Sequence, residues 1–191
     1  MKKLFLVLVC ASSVIAASAQ VKFGVKLGAN MASMTDGDGL KSKFGINGGV
    51  QAALPLSSMF SVNPEAVYSA QGAKAEEGDG VINLNYINVP VLLQYNNPSG
   101  FFAHTGPQIG FLMSAKVKEG GEEADFKDFV NGTDFSWAIG AGFATQSGFG
   151  FNARYNIGLS KLDKEGEGSS KNSVIQFGIF YNFGGGASEK K

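Results

Sequence analysis

Three charged side chains, Lys26, Glu65 and Arg154, fall on the polar side of segments in which polar and apolar residues alternate. Each lies four or five residues after its segment begins, so strands running in the same direction would place them at similar depth. Because burying an unpaired charge is costly, we expect them to pair. The cluster would then act either as a path for protons or ions or as an internal ion-pair plug.

His104 is the only histidine, and it is the one residue that would suit acid–base catalysis. A lipid hydrolase would place it beside a serine and a carboxylate. His104 instead comes early in its segment and on the polar side. If the segments cross a membrane, this position is far from the lipid of the outer leaflet, on which such a hydrolase would act. We therefore predict an ordinary interior hydrogen bond for His104, and no catalytic residues.

Acidic residues cluster in the connections between segments, where they raise the question of calcium binding. A calcium site needs several oxygen ligands that converge on one point. Exposed polar loops explain these clusters better, because Asp36-Gly37-Asp38 breaks the calcium-loop pattern at Leu40, and we predict no metal site and no cofactor. The clusters are Asp36 and Asp38; Glu76, Glu77 and Asp79; and Glu119, Glu122, Glu123 and Asp125.

The elements that must position these residues are strands. In 173–183 the odd positions are large and apolar, whereas the even positions are small or polar except Phe180, which indicates a strand with two different faces. Eight segments share this pattern. They are 22–31, 43–54, 60–71, 86–95, 103–113, 135–144, 149–160 and 173–183.

The connections alternate between long and short, which predicts a meander with all short turns at one end. Strands of about ten residues suit a tilted crossing of a bilayer, where open sheet edges are not tolerated. The sequence therefore predicts an all-β fold, an eight-stranded antiparallel up-and-down transmembrane β-barrel. A soluble barrel with an apolar ligand inside is the alternative. The small residues of the non-apolar faces favour the membrane barrel, because they suit a crowded interior better than a solvated surface. Such an interior is just wide enough for side chains to fill, which favours the ion-pair plug.

The two ends of the chain differ from the strand region. Residues 1–19 have a basic start, an apolar stretch and small residues at 17–19, so we predict a signal peptide with the barrel domain at 20–183. Residues 184–191 are predicted to be a flexible tail. The lone cysteine, Cys10, falls in the signal, so no disulfide is expected. The remaining 14 basic and 16 acidic residues give a net charge of −2, which does not favour nucleic-acid binding.

Several segments resemble the PorT-like outer-membrane β-barrel family of Bacteroidota. The segment 86–95, YINVPVLLQY, is similar to the family's YLEIPLLLKY strand, and 154–159, RYNIGL, to its RYxxGL strand. The resemblance implies an eight-stranded barrel in the outer membrane of a Gram-negative cell, and some members are tied to protein secretion. This chain has Asn88 and Gln94 where the family usually has Glu and Lys, so any role of those charges would be lost.

Together these observations predict a small, non-enzymatic outer-membrane barrel with periplasmic termini. Its role would be structural, or would consist of contacts made by its external loops. The expected partners are outer-membrane lipid and other envelope or secretion proteins. A lipid-modifying hydrolase and a narrow channel are the alternative functions.

Overall fold

The computed structural model describes residues 21–35, 39–164 and 170–183. The predicted signal peptide at 1–19 and the predicted tail at 184–191 lie outside these residues. The strands are β1 Lys22–Met34, β2 Leu40–Pro55, β3 Phe60–Ala75, β4 Val81–Asn96, β5 Phe101–Glu119, β6 Glu122–Asp125, β7 Thr133–Ala144, β8 Phe149–Gly158 and β9 Asn172–Asn182, with a 3-10 helix at Lys127–Phe129. Within the described ranges, no helix is long and apolar enough to cross a membrane.

Eight of these strands form a closed antiparallel barrel. Each barrel strand pairs with the next one along the chain, β5 pairs with β7, and β9 pairs back with β1. The short strand β6 stands outside this circle and pairs only with the end of β5. The predicted eight-stranded up-and-down transmembrane barrel is therefore confirmed.

The long connection between the predicted segments 103–113 and 135–144, for which the sequence predicts a charged loop over 116–134, is more ordered than that prediction. β5 continues to Glu119, turns through Gly120 and Gly121, and returns as β6. The pairing of Val81 with Lys118 shows that β4 follows it outward. Alternation could not reveal this extension, because a hairpin in water needs backbone hydrogen bonds but no apolar face.

The two faces of the barrel wall follow the alternation of the sequence. Large apolar residues point outward and are exposed; examples are Phe23, Leu27, Phe44, Ile46, Phe135, Ile139, Phe151 and Ile179. Polar groups on this outer face are satisfied locally: Trp137 Nε1 donates to Thr105 Oγ1 at 2.9 Å, and Thr105 Oγ1 donates to the carbonyl of Ala138 at 3.0 Å. Such pairing is what a hydrocarbon environment requires.

Aromatic residues gather on the outer face near the short turns, as the alternation predicts, with one exception. Phe60 packs on Tyr95 with ring centroids 5.5 Å apart, and Tyr181 packs on Phe183 at 5.4 Å. From their places near the short turns, the sequence predicts an interfacial girdle of Phe60, Tyr95, Phe102, Phe149, Tyr181 and Phe183. Phe102 is instead buried inside the barrel, so the prediction is wrong for that residue. Its position shares the inward parity of His104, which decides the direction of the side chain.

Large inward rings are accommodated by inward glycines on neighbouring strands. A Cβ atom at Gly142 would lie 2.4 Å from the Phe102 ring, and one at Gly150 would lie 2.3 Å from the Phe180 ring. A Cβ at Gly140 would lie 2.5 Å from His104 Nε2. The small residues of β7 and β8 are therefore needed to fit these side chains into a narrow interior.

Candidate functional site

The middle of the barrel interior holds a charged layer formed by Lys26, Glu65, His104 and Arg154. Arg154 binds Glu65 through two hydrogen bonds, Nη1 to Oε2 at 3.0 Å and Nη2 to Oε1 at 2.7 Å. Lys26 Nζ donates to Oε2 of the same carboxylate at 2.8 Å. All four residues are buried. A bidentate arginine–carboxylate pair combines strong hydrogen bonds with fixed geometry.

His104 belongs to this layer as a neutral acceptor. Arg154 Nε donates to His104 Nε2 at 3.2 Å, and the imidazole stacks on Phe102 with centroids 5.7 Å apart. Because a guanidinium can only donate, Nε2 must be unprotonated. The layer therefore holds two cations against one carboxylate.

Four elements bring the charged layer together. Lys26 lies on β1, Glu65 on β3, His104 on β5 and Arg154 on β8, all at inward-facing positions. The structure thus places both predicted cations, Lys26 and Arg154, in contact with the predicted carboxylate, Glu65. It also adds His104, which sequence reasoning treated as a separate residue. The signal that could have linked it was its inward parity and its low position on β5, close to the depth of Glu65.

A layer of carboxamides and hydroxyls lies next to the charged layer on the side of the long loops. Asn47 Nδ2 and Gln176 Nε2 both donate to Asn30 Oδ1, at 2.7 and 3.1 Å. Asn30 Nδ2 donates to Ser69 Oγ at 2.8 Å, and Gln71 Nε2 donates to the same oxygen at 2.9 Å. This network links side chains of four strands, β1, β2, β3 and β9, across the interior.

The long-loop end of the interior is closed by an apolar cluster that we call the outer plug. Its members are Leu84, Tyr86, Leu112, Ala115, Val130 and Leu162. Val130 and Leu162 come from the two longest connections and fold back into the barrel mouth. Loop backbone reinforces them, because the amide of Asn131 donates to the carbonyl of Leu162 at 2.8 Å.

The short-turn end of the interior is open, in contrast to the plugged end. A cavity of about 340 Å³, which we call the vestibule, lies between the turns and the charged layer. Ser57, Ser58 and Gln146 of the turns border its mouth, and Glu65, His104 and Phe102 border its inner end. In the part of the chain that the structure describes, the interior is therefore open at the short turns and occupied by apolar side chains at the long-loop end.

The predicted acidic clusters do not form a cation site in the part of the chain that the structure describes. Within it, no group of three or more His, Cys, Asp or Glu side chains could hold a metal ion. Glu123 instead binds Lys118 at 2.9 Å and also binds Lys116. Asp79 accepts a hydrogen bond from the Gly120 amide at 3.2 Å. Asp36 and Asp38 lie outside the described residues.

A closed barrel with an apolar outer face and polar, hydrogen-bonded layers in its interior defines an integral membrane β-barrel protein. Residues 15–164 match the family model described as outer membrane protein beta-barrel domain. The chain therefore belongs to this family, and its place is the outer membrane. No curated protein sequence is significantly similar to it.

Solved structures with a similar architecture include a Neisserial barrel and one from Yersinia pestis. Neisserial surface protein A is 16% identical with a TM-score of 0.53, and the match covers 84% of this chain and 97% of that one. Ail, the attachment invasion locus protein of Yersinia pestis, in complex with a heparin analogue, is 18% identical with a TM-score of 0.50, covering 85% and 99%. At such identities the similarity concerns the fold alone.

Proposed function

We propose that this protein is a non-enzymatic barrel that presents an external platform for contacts within the cell envelope. The observation that carries the proposal is the hairpin of β5 and β6. It continues the barrel wall beyond the plugged mouth, and all four residues of β6 are exposed. A surface of this kind is available to an envelope or secretion partner, as the resemblance to PorT-like proteins suggests for some relatives.

Ion pairs of Glu123 with Lys116 and Lys118 stabilise the hairpin. A binding surface benefits from such order, because less conformational freedom is lost when a partner binds. Hydrogen bonds from Lys116 and then Lys118 hold the pKa of the Glu123 carboxyl below its usual value. Their contribution is fully present above the ordinary pKa of a glutamate and is lost as the pH falls through the lowered value. The hairpin is therefore expected to be best ordered at neutral pH.

The geometry of His104 supports a non-enzymatic role. Its Nε2 accepts a hydrogen bond from Arg154, and it lies in the middle of the interior. A general base needs a substrate proton within hydrogen-bond reach. Lipid of the outer leaflet could not approach this nitrogen through the plugged mouth.

A hairpin truncation tests the platform. Residues 118–123 would be replaced by Asn-Gly, because Val117 pairs directly with Ala124 and a two-residue turn can join such a pair. In a strain that lacks the protein, the wild type should restore resistance of the envelope to a bulky dye, whereas the truncated barrel should insert without restoring it. Full restoration by the truncated barrel would contradict the proposal.

A conductance measurement distinguishes the proposed platform from the second candidate function, a narrow channel. The charged layer and outer plug support a non-conducting interior, so planar bilayers with the purified protein should show no stable current steps. Reproducible steps in the wild type would favour the channel instead. A variant with Leu162→Ser in the plug gives the matched comparison.

We also propose that the short turns and the termini face the periplasm, as in other bacterial barrels. The predicted mature chain has no cysteine, so single cysteines are selective probes. Gly121→Cys at the hairpin tip should react with an impermeant maleimide in intact cells. Ser147→Cys in a short turn should react only after the outer membrane is permeabilised; the reverse result would invert the topology.

A further inference from the structure

The vestibule is lined by an unusual density of uncharged hydrogen-bonding groups. Six strand positions around it carry carboxamide side chains: Gln51, Asn63, Gln94, Asn96, Asn152 and Asn182. A carboxamide offers donors and acceptors side by side. Such a wall suits a ligand that carries both kinds of group and no required charge.

These carboxamides are held in fixed orientations before any ligand arrives. Asn63 Nδ2 donates to Gln94 Oε1 at 2.8 Å, and Gln94 Nε2 donates to Asn96 Oδ1 at 2.6 Å. On the other side, Gln51 Nε2 donates to Asn182 Oδ1 at 2.7 Å. Preorganised polar groups lower the cost of binding.

One buried acceptor in this wall is left unused. Asn63 is buried, yet its Oδ1 has no hydrogen-bond partner among the residues that the structure describes. A buried polar atom without a partner is destabilising, so such atoms call for an explanation. The oxygen is closed off from the cavity as it stands, and a ligand donor would satisfy it once the Asn63 carboxamide, which borders the vestibule, turns inward.

The inner end of the vestibule is aromatic and offers no free carboxylate. Phe102 and Phe180 meet edge to face with centroids 5.9 Å apart, and both border the cavity. Both oxygens of Glu65 are occupied by Arg154 and Lys26. The two cations leave an excess positive charge there, which disfavours a cationic ligand.

We propose that the vestibule binds a neutral saccharide of one or two rings. Its hydroxyl and acetamido groups would bind the carboxamides, with a donor on Asn63 Oδ1, and an apolar ring face would lie against Phe180. The volume of about 340 Å³ is at the lower end of the range for small-molecule pockets, which excludes a long glycan segment. The inference depends on the cavity alone and not on the external platform.

Calorimetric titration tests this site directly. The full chain, refolded in a detergent without a sugar headgroup, would be titrated with N,N′-diacetylchitobiose. We expect saturable binding, weakened about tenfold or more by Asn63→Leu, since a hydrogen bond of typical strength corresponds to a factor of this size. Asn152→Ala, on the opposite wall, should also weaken binding.

Controls separate the site from a general effect on folding. Asn85→Ala, which loses a hydrogen bond to Ser114 at the long-loop end, should leave the dissociation constant unchanged. Heat-modifiable gel mobility verifies that each variant is folded, and Phe180→Leu replaces Asn63→Leu if the latter does not fold. The proposal is overturned if the saccharide does not bind, if the vestibule variants bind it as well as the wild type does, or if only the peptide trialanine binds.

Discussion

The two ends of the barrel interior are built from the same eight strands but finished in opposite ways. At the long-loop end, Val130 and Leu162 bring apolar side chains from the loops into the mouth. At the short-turn end, turns of a few residues cannot reach inward, and a polar vestibule remains. The difference teaches that loop length decides which end a narrow barrel can close with its own chain.

The charged layer separates these two ends, and removing its only carboxylate should have the largest effect. Glu65→Ala leaves Lys26 and Arg154 buried without a counter-charge, at a cost of about 3–5 kcal/mol in the free energy of unfolding. Arg154→Ala should cost less, because the Lys26–Glu65 pair at 2.8 Å survives. Urea unfolding in lipid vesicles measures both.

A double-mutant cycle sharpens this test. The Glu65→Ala/Arg154→Ala variant should lose much less stability than the sum of the single losses, because it leaves one uncompensated buried cation, Lys26, where Glu65→Ala alone leaves two. Glu123→Ala, which removes an exposed ion pair of the hairpin, is the control and should change little. Additive losses for the buried pair would mean that the charged layer does not act as one unit.

An arginine introduced at each of two positions tests whether the vestibule contains water while the outer face contacts lipid. Ile179→Arg places a charge on the exposed apolar outer face and should cost about 2–4 kcal/mol if it lies near the bilayer midplane. Ala53→Arg places the same charge at the border of the vestibule, where water is available, and should fold almost as well as the wild type.

The folded fraction in bilayers, read from gel mobility without boiling, compares the two arginine variants. Equal losses would show that the vestibule is no wetter than the outer face. The proposed difference between an open, hydrated short-turn end and a plugged long-loop end would then be wrong.

The smallest expected effect concerns the outer plug. Leu162→Ala removes a buried side chain, and we expect a loss of about 2 kcal/mol, the low end for such substitutions because a loop can relax. Phe129→Ala, next to Val130 but exposed, is the matched control. Hydrogen exchange of the loop amides should increase in the first variant only; equal exchange in both would mean that the loops are not held by the plug.

Most of the barrel could be predicted from the sequence, because alternation reports directly which residues face lipid. The inward parity of Lys26, Glu65 and Arg154 was readable in the same way, and their matching depth predicted contact. The participation of His104 was readable only in part: its inward parity and low position on β5 indicated it, but its hydrogen bond with Arg154 depends on the space left by Gly140.

The outer plug and the vestibule could not be predicted from strand patterns. Val130 and Leu162 lie in connections, where no periodicity tells an anchored apolar residue from an exposed one such as Phe129. The vestibule depends on residues of all eight barrel strands, which meet only after closure. Phe102 was misassigned to the aromatic girdle because its residue type was weighed above its parity.

The anchoring of the loops has a consequence for protein engineering. The hairpin tip, Gly120 and Gly121, has positive φ angles of 59° and 87°, and a Cβ atom at either position would meet nothing within 4 Å. Exposed tips of this kind are where chains best accept inserted sequence. A foreign peptide displayed on cells should therefore be grafted between these two glycines. An insertion beside Val130 would instead withdraw that side chain from the barrel mouth and open the interior to water.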